Sequence, residues 1–446
     1  MTNHLSRRGF LGVAAGTAAA ALAVPRLARA QAQRPNVLFI LADDLGYGDL
    51  SCYGRPDYTT PVLDRLAEQG MKFTSAYAAA AVCTPTRCAF VTGGYPQRFD
   101  VGLEEPLTVS SPPVGLPAGQ PTIASRLRAA GYDTALIGKW HLGWRPEYRP
   151  NRHGFDEFFG SLSGALDYFT HIAPDANEEG LPDLWENEQR VTSDAYLTDL
   201  FSDRAVEYIE RERSNPFYLS LHYTAPHAPW EGPADGARAD HADHGVGPMI
   251  NGGSLGTYAE MMRSMDDGIG RVLAALRRAR VERDTLVIFT SDNGGERYSF
   301  NWPFSFQKGF LYEGGIRVPA IVRWPGVVPA GSVTEQAAIT MDWTATILAA
   351  AGAPLDSSPL DGESLLPVLT GERDAYDREL FWRTRTRAAA RIGRWKYVQE
   401  RDAEHLYDLG VDLGEKTDVK AREAAAFAEA KSRYSAWAGG VLPRRT

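Results

Sequence analysis

Residues 36–44 read N-V-L-F-I-L-A-D-D. After Asn36 the run is apolar through Ala42 and then stops at two aspartates, Asp43 and Asp44. Three other segments share this design. Thr134–Ile137 (T-A-L-I) ends in Gly138-Lys139-Trp140-His141. Phe217–His222 (F-Y-L-S-L-H) leads to Pro226-His227, and Thr285–Thr290 (T-L-V-I-F-T) leads to Asp292-Asn293. Continuous apolar runs of this length read as strands covered on both faces, which implies a parallel sheet with helices on either side. Helical patterns lie between the strands. Thr60–Gln69 has a capping residue, a first-turn proline and Gly70 at its stop, and Thr122–Ala130 and Tyr258–Ala279 are amphipathic. Strand and helix in alternation predict a large, doubly wound, mostly parallel α/β fold. Such sheets bind ligands beyond the carboxyl ends of their strands. Asp43, Asp44, Lys139, His141, His227, Asp292 and Asn293 are therefore predicted to converge on one edge. Singly, each is an ordinary turn, cap or surface residue; the shared edge carries the argument.

The chain has 446 residues, 44% of them hydrophobic and 23% charged, which suits one large α/β domain and a smaller one. A net charge of −9 argues against nucleic acid or an anionic membrane as partner. Residues 1–30 read as a signal peptide. Ser6-Arg7-Arg8-Gly9-Phe10-Leu11 is a twin-arginine pattern, Leu11–Val24 is apolar and Ala-rich, and Ala28-Arg29-Ala30 is a small-x-small cleavage site. The expectation is a mature chain from about Gln31, carried folded by the Tat translocase to the periplasm or beyond. No later run reaches the roughly 18 apolar residues of a membrane span, so no membrane is expected in the mature form. Three cysteines make no disulfide scaffold, and spacing leaves open whether Cys52 and Cys88 pair.

Glu104–Pro121 reads as an excursion loop, and Gly232–Ser254 as irregular, with His241 and His244 as solvated loop residues. Beyond residue 375 the pattern changes. Phe381–Thr384, Ala389–Ile392, Trp395–Val398 and His405–Leu409 look like short antiparallel strands, and Ala421–Ala438 like a closing helix. The expected division is a catalytic domain over 31–374 and a C-terminal α+β subdomain over 375–446.

Asp43, Asp44, Asp292 and Asn293 offer only oxygen, which suits a hard cation, Ca²⁺ before Mg²⁺. A zinc site would call for imidazole or thiolate in the set. Cys83 opens an apolar stretch that can be a helix, with Pro85 in the first turn. Helix placement favours a thiolate, and His141 or His227 can serve as its base. A buried structural cysteine is the other reading, and the residues alone leave both open.

The run C-T-P-T-R at 83–87, followed by Thr92-Gly93 and Tyr95-Pro96, resembles the type I, formylglycine-dependent sulfatases of the alkaline phosphatase superfamily. Their motif is Cys-x-Pro-x-Arg, often with Ser where this chain has Thr86. The resemblance spans about Pro35 to Leu409 and includes L-A-D-D-L-G-Y-G-D-L, T-P-V-L-D-R-L-A, G-K-W-H-L-G, H-G-F-D-E-F-F-G, A-P-H-A-P, T-S-D-N-G-G and E-G-G-I-R-V-P. It implies that a formylglycine-generating or sulfatase-maturating enzyme oxidises Cys83 to an aldehyde. One hydroxyl of its hydrate would attack sulfur, and the sulfated adduct would collapse back to the aldehyde as sulfate leaves. By the same resemblance Asp43, Asp44, Asp292 and Asn293 match calcium ligands, with residue 83 also touching the ion. Arg87 matches the group that orients the hydrate, and Lys139 a sulfate-binding lysine. His141 matches the base that releases sulfate, and His227 and Lys308 match groups on the sulfate and leaving oxygen. Lys308 alone would read as a surface lysine.

The implied activity is hydrolysis of a sulfate ester. Phosphonate or phosphate ester hydrolysis on the same scaffold is the runner-up, and an exported glycan-binding protein with a dead site is the alternative of another class. Gly164–His171 (G-A-L-D-Y-F-T-H) resembles a segment of arylsulfatase B-like and galactosamine-sulfatase-like members, which implies a sulfated carbohydrate. Arg145, Arg149, Arg152 and His171 are candidates to meet an anionic sugar, and Trp230 and Trp302 to stack on its ring. Each also reads as ordinary surface or core.

Overall fold

The computed structural model describes residues 34–108, 111, 113–173, 181–236, 251–353 and 360–445. The signal-peptide pattern, His241 and His244 lie outside the described residues. In chain order the strands are β1 Asn36–Ala42, β2 Met71–Phe73, β3 Ala76–Tyr77, β4 Asp133–Gly138, β5 Glu157–Gly160, β6 Trp185–Glu186, β7 Gln189–Arg190, β8 Phe217–His222, β9 Thr285–Ser291, β10 Ala320–Arg323, β11 Ser332–Thr334, β12 Ala338–Ile339, β13 Glu379–Arg383, β14 Arg387–Ile392, β15 Trp395–Glu400 and β16 Ala403–Asp408. Ten of them form one sheet in the order β11-β2-β10-β9-β1-β8-β4-β5-β6-β7.

The four strands picked out by the sequence are neighbours and parallel: β9, β1, β8 and β4. Their carboxyl ends are level, with His222 opposite both Leu41 and Gly138, and Ser291 opposite Ala42. Strand β1 shows why the runs are apolar throughout. Leu38, Ile40 and Ala42 point into one core, with Leu63, Phe201 and Met261 from the helices Pro61–Glu68, Leu197–Glu210 and Leu255–Arg278. Val37, Phe39 and Leu41 point into the other, with Phe90, Leu127 and Ile347 from the helices Cys83–Thr92, Ile123–Ala129 and Thr340–Ala350. Alternate side chains of a strand leave opposite faces, so a strand covered twice needs apolar residues at every position.

The helix expected over Thr60–Gln69 is Pro61–Glu68, and its start is not capped as expected. Thr60 makes no side-chain bond to its own helix backbone. Its hydroxyl instead accepts from Ser51 N at 3.1 Å, and Asp266 from the facing helix accepts from Val62 N and Leu63 N, both at 2.9 Å. The cap is tertiary, which local sequence does not reveal. Thr122 does cap the helix Ile123–Ala129, through a reciprocal bond with Ser125.

The C-terminal strands pair as β13-β14-β15-β16, all antiparallel, and the closing helix is Ala424–Ala438. This sheet shares a core with the larger body: Trp382, Ala389 and Val398 cluster with Tyr77, Ala81, Ile316 and Met341. The Trp382 indole donates to Ala78 O at 2.8 Å. Lys396 on β15 is fully buried between Glu313 of the larger body at 2.7 Å and Glu415 at 3.4 Å. Removing one member of a buried ionic group strands the others without solvent. Lys396→Met is therefore expected to destabilise the fold by about 3–5 kcal/mol, read as a lower midpoint in urea unfolding.

Candidate functional site

The site is built where β9, β1, β8 and β4 end. Asp43 and Asp44 follow β1, Lys139 and His141 follow β4, and Asp292 and Asn293 follow β9; all are buried. Asp44 and His141 hold left-handed backbone at φ 63° and 57°. Non-glycine residues adopt that region at a cost and persist there only where their surroundings over-determine them.

Cys83 is the first residue of the helix Cys83–Thr92, every residue of which is buried. The hydroxyl of Thr86 explains why Thr stands in for Ser: it accepts from Ala80 N at 3.0 Å and donates to Ala80 O at 3.1 Å, pinning the turn that enters the helix. Thr84 accepts from Leu107 N at 3.0 Å, tying the same turn to the excursion loop.

Charges then pair across the edge. Arg87 donates to Asp292 Oδ2 from Nη2 at 2.9 Å and from Nε at 3.1 Å, and lies 3.7 Å from Asp43. Its Nη1 donates to Lys139 O at 2.8 Å. Lys139 Nζ is 2.5 Å from Asp43 Oδ2, and Lys308 Nζ is 2.6 Å from Asp44 Oδ2. His227 Nε2 stands 3.5 Å from the same Asp44 oxygen, with Nδ1 on Ala228 O at 2.5 Å. His141 Nε2 faces Leu107 O at 2.8 Å; a carbonyl only accepts, so Nε2 carries the proton and Nδ1, buried without a partner, carries the lone pair.

The carboxylates respond differently. Burial and the neighbouring Asp43 push Asp292 up to about 6. Burial also raises Asp43 against the opposing pull of Lys139 and Arg87. Burial alone would raise Asp44 too, but Lys308, His227 and Lys139 hold it well below the usual carboxylate range.

The donor set fits a hard cation. Ligand atoms of Asp43, Cys83 and Asp292, and of Asp43, Asp44 and His227, each lie within 4.8 Å of one another. Asp43 Oδ1 and Asn293 Oδ1 are buried with no hydrogen-bond partner, while Asn293 Nδ2 donates to Asp44 Oδ1 at 2.7 Å. Two unsatisfied oxygens, one on a carboxylate and one on an amide, at a point where three carboxylates meet are a site for an oxygen-seeking ion. One imidazole, His227, stands closer to the acids than the oxygen-only reading of the sequence supposed. The opposite edge of the sheet has a surface cavity of about 640 Å³ lined by Arg34, Asn36, Arg213, Phe217 and Asp284 among others, far from these groups.

Every predicted catalytic or metal residue thus reaches the cluster: Asp43, Asp44, Cys83, Arg87, Lys139, His141, His227, Asp292, Asn293 and Lys308. The proposed sugar contacts fare less well. His171 is fully buried with Nε2 on Ala195 O at 3.0 Å, so it is a core histidine. Trp230 is buried and packs edge-on against Tyr298 at 5.0 Å. Arg149 is spread over the Trp185 ring at 4.2 Å, and Arg152 pairs with Glu188 at 2.8 Å. Of these candidates Arg145 and Trp302 are exposed, Trp302 at 65%, and Arg145 makes no ion pair among the described residues. Cys52, Cys83 and Cys88 are all free thiols in the fold, and Cys88 is packed in a core, so the Cys52–Cys88 pair does not form.

The sequence reading missed His222, buried behind Lys139, and Glu296, whose carboxylate is 3.9 Å from Lys308 Nζ. His222 ends a strand that was itself legible; Glu296 follows T-S-D-N-G-G directly.

The described geometry places the chain among known proteins. The sulfatase family pattern matches residues 35–353, and that of the N-sulphoglucosamine sulphohydrolase C-terminal region matches residues 301–432. The chain is 35% identical over 393 residues to N-acetylgalactosamine-6-sulfatase of Canis lupus familiaris, covering 82% of this chain and 71% of that one. It is 34% identical over 393 residues to human arylsulfatase A, covering 79% and 71%. The crystal structure of Ps i-CgsB in complex with k-i-k-neocarrahexaose superposes with a TM-score of 0.80 at 32% identity, over 91% of this chain and 93% of that one. A mostly parallel sheet with this charged edge and a separate antiparallel C-terminal sheet is an alkaline phosphatase-like hydrolase. Within that superfamily the chain belongs to the type I sulfatases, which are sulfuric ester hydrolases.

Burial and then Lys139 depress His141 to about 3, and burial and then Lys308 depress His227 to about 3. Both are neutral in the fold where an unfolded histidine, near 6.5, takes up a proton. Their contribution is therefore intact above pH 6.5 and lost as pH falls toward 3. In chelator-treated protein each should add a slope of about 1.4 kcal/mol per pH unit across that window. Denaturant unfolding at stepped pH checks it, and His227→Gln should lower the total slope by that one residue's share.

Proposed function

We propose that the chain hydrolyses the sulfate ester of a carbohydrate, with residue 83 converted to formylglycine and one Ca²⁺ held by Asp43, Asp44, Asp292 and Asn293. The observation that carries this reading is the convergence of Cys83, Arg87, Lys139 and Lys308 on three buried carboxylates. Those three carboxylates and the three cations Arg87, Lys139 and Lys308 nearly neutralise one another. A divalent ion added to them would turn the pocket into a net cation, which favours an anionic sulfate ester. Bound there, the ion supplies Lewis-acid polarisation of a sulfate oxygen, and the hydrated aldehyde supplies a hydroxyl nucleophile in place of a thiol.

The chain's own groups divide the remaining work. Lys139 and Lys308 bring fixed positive charge to the sulfate. Lys308 stays charged because, although burial opposes it, Asp44 beside it raises its pKa, so it can stabilise the leaving oxygen. Arg87 is wholly committed to Asp292 and to the Lys139 carbonyl, so it orients residue 83 through the charge it fixes rather than by touching substrate. His141 has Nε2–H held by Leu107 and leaves Nδ1 to accept a proton. His227 has Nδ1 occupied by Ala228, which turns Nε2 toward Asp44 and the sulfate side.

The carbohydrate assignment is supported by the relative named for N-acetylgalactosamine 6-sulfate and by the carrageenan oligosaccharide bound in Ps i-CgsB. Trp302, exposed in the loop that leads to Lys308, offers a ring face to a sugar. Maturation by a formylglycine-generating or sulfatase-maturating enzyme and Tat export to the periplasm complete the proposal; the arginine pair at Arg7-Arg8 and the C-T-P-T-R run support them.

Steady-state kinetics on sulfated mono- and oligosaccharides, beside matched phosphate and phosphonate esters, test the substrate class. Preference for the sulfate esters is expected, and a better phosphate or phosphonate ester would overturn it. In the same assay Lys308→Ala should lower kcat/KM by about 10²–10³-fold. A separate check is the mass of the proteolytic peptide containing residue 83 from active protein made with its maturation enzyme: the aldehyde form is expected, and an intact thiol in active enzyme would sink the formylglycine mechanism.

A further inference from the structure

We propose that His222, the last residue of β8, is a positioning residue for the hydrolysis: its Nδ1–H holds the Lys139 peptide and through it the relative placement of Arg87, Lys139 and His141. The inference rests on the sulfate-ester reading of the site.

His222 grips Lys139 from both sides. Its backbone carbonyl accepts from Lys139 N at 3.0 Å, and its Nδ1 lies 3.1 Å from Lys139 O. That carbonyl also accepts from Arg87 Nη1 at 2.8 Å, so imidazole and guanidinium share one acceptor, 3.5 Å apart. The approach of β4 to His222 is close enough to require Gly138, where φ is +112° and a Cβ would lie 1.8 Å from His222 O. Three residues later the chain turns through His141 in left-handed backbone. The Lys139 peptide is thus the joint between the arginine behind residue 83, the lysine on Asp43 and the histidine base.

The proton positions follow from the partners. A carbonyl cannot donate, so the nitrogen facing Lys139 O must carry hydrogen. Nε2 then keeps its lone pair and accepts from Ser220 Oγ at 2.7 Å. Ser220 Oγ in turn accepts from Tyr218 OH at 3.2 Å, so its own proton is directed at the imidazole. Buried Tyr218, Ser220 and His222 form a one-way chain that selects the Nδ1–H tautomer. Burial and the Arg87 charge hold the ring well below its ordinary pKa, which keeps it neutral. Phe39 and Phe90 pack edge-on against it, with centroids at 6.2 and 6.0 Å, and stop it from turning. Phe90 belongs to the helix that begins at Cys83.

A histidine that merely filled space would be replaced best by another ring. A histidine that holds Lys139 needs an N–H at the δ position. An Asn amide reaches that position, a Gln amide reaches the ε position, and Phe keeps the ring but has neither. The experiment compares His222→Asn, His222→Gln and His222→Phe in matured, metal-loaded enzyme, with kcat expressed per residue-83 aldehyde and Tm measured for each. His222→Asn should stay within about ten-fold of the parent kcat, while His222→Gln and His222→Phe lose on the order of 10²-fold in kcat with little change in KM, the scale of a misplaced catalytic group. The ordering must not follow Tm. Phe equal to or better than Asn, Gln equal to Asn, or activity that simply tracks Tm overturns the proposal. If the variants do not fold, ¹⁵N NMR of histidine-labelled parent protein gives an answer independent of turnover: a protonated Nδ1 at His222 is expected, and a protonated Nε2 overturns the proposal. Since that readout needs no substrate, a failure of the sulfate-ester reading would leave it intact.

Discussion

Six charges, five of them buried and Lys308 partly so, set the terms for the rest of this structure. Asp43, Asp44 and Asp292 meet Arg87, Lys139 and Lys308 at distances of 2.5 to 2.9 Å for their closest pairs. None of these groups tolerates burial alone, because desolvation of an unpaired ion costs several kcal/mol. They come from five separate parts of the chain, so the pairs form only when the sheet, the helix at Cys83 and the loop carrying Lys308 are all assembled. The level ends of four parallel strands make this possible, since each strand delivers its polar residues to the same height.

The C-terminal sheet belongs to the same constraint. The loop that carries Lys308 is held from that side: Arg387 donates to Gly309 O at 3.2 Å, and Glu415 accepts from Glu313 N at 2.7 Å. Gly309 N in turn donates to Ala81 O at 2.8 Å, two residues before Cys83. A second ionic cluster, Glu313–Lys396–Glu415, sits at the junction. The smaller sheet thereby supports one wall of the site, although none of the predicted catalytic residues lies on it.

The residues that gather at the site were legible because strand ends and short motifs name them directly. Among the residues proposed to meet substrate, Trp230 and His171 turned out to follow the core alternative for a common reason. Trp230 and His171 lie in irregular segments, where no periodicity separates a buried face from an exposed one. Arg149 found an aromatic partner, and Arg152 an acid, close by in space. Thr60 shows the same limit in a regular element: its helix start is capped by Asp266, 204 residues from the Val62 amide it accepts.

By itself, the sequence determined the doubly wound sheet, the four chemical strand ends, the C-terminal antiparallel strands and the identity of the residues that gather at the edge. Apolar periodicity and turn chemistry are local properties, and local properties are written in order along the chain. Only the tertiary structure decided which charge pairs with which, that His141 keeps Nδ1 free, that His222 grips Lys139, and that Trp302 rather than Trp230 faces outward. Those outcomes depend on distances between residues far apart in sequence, and on which side chains lose their water when the sheet and its helices close.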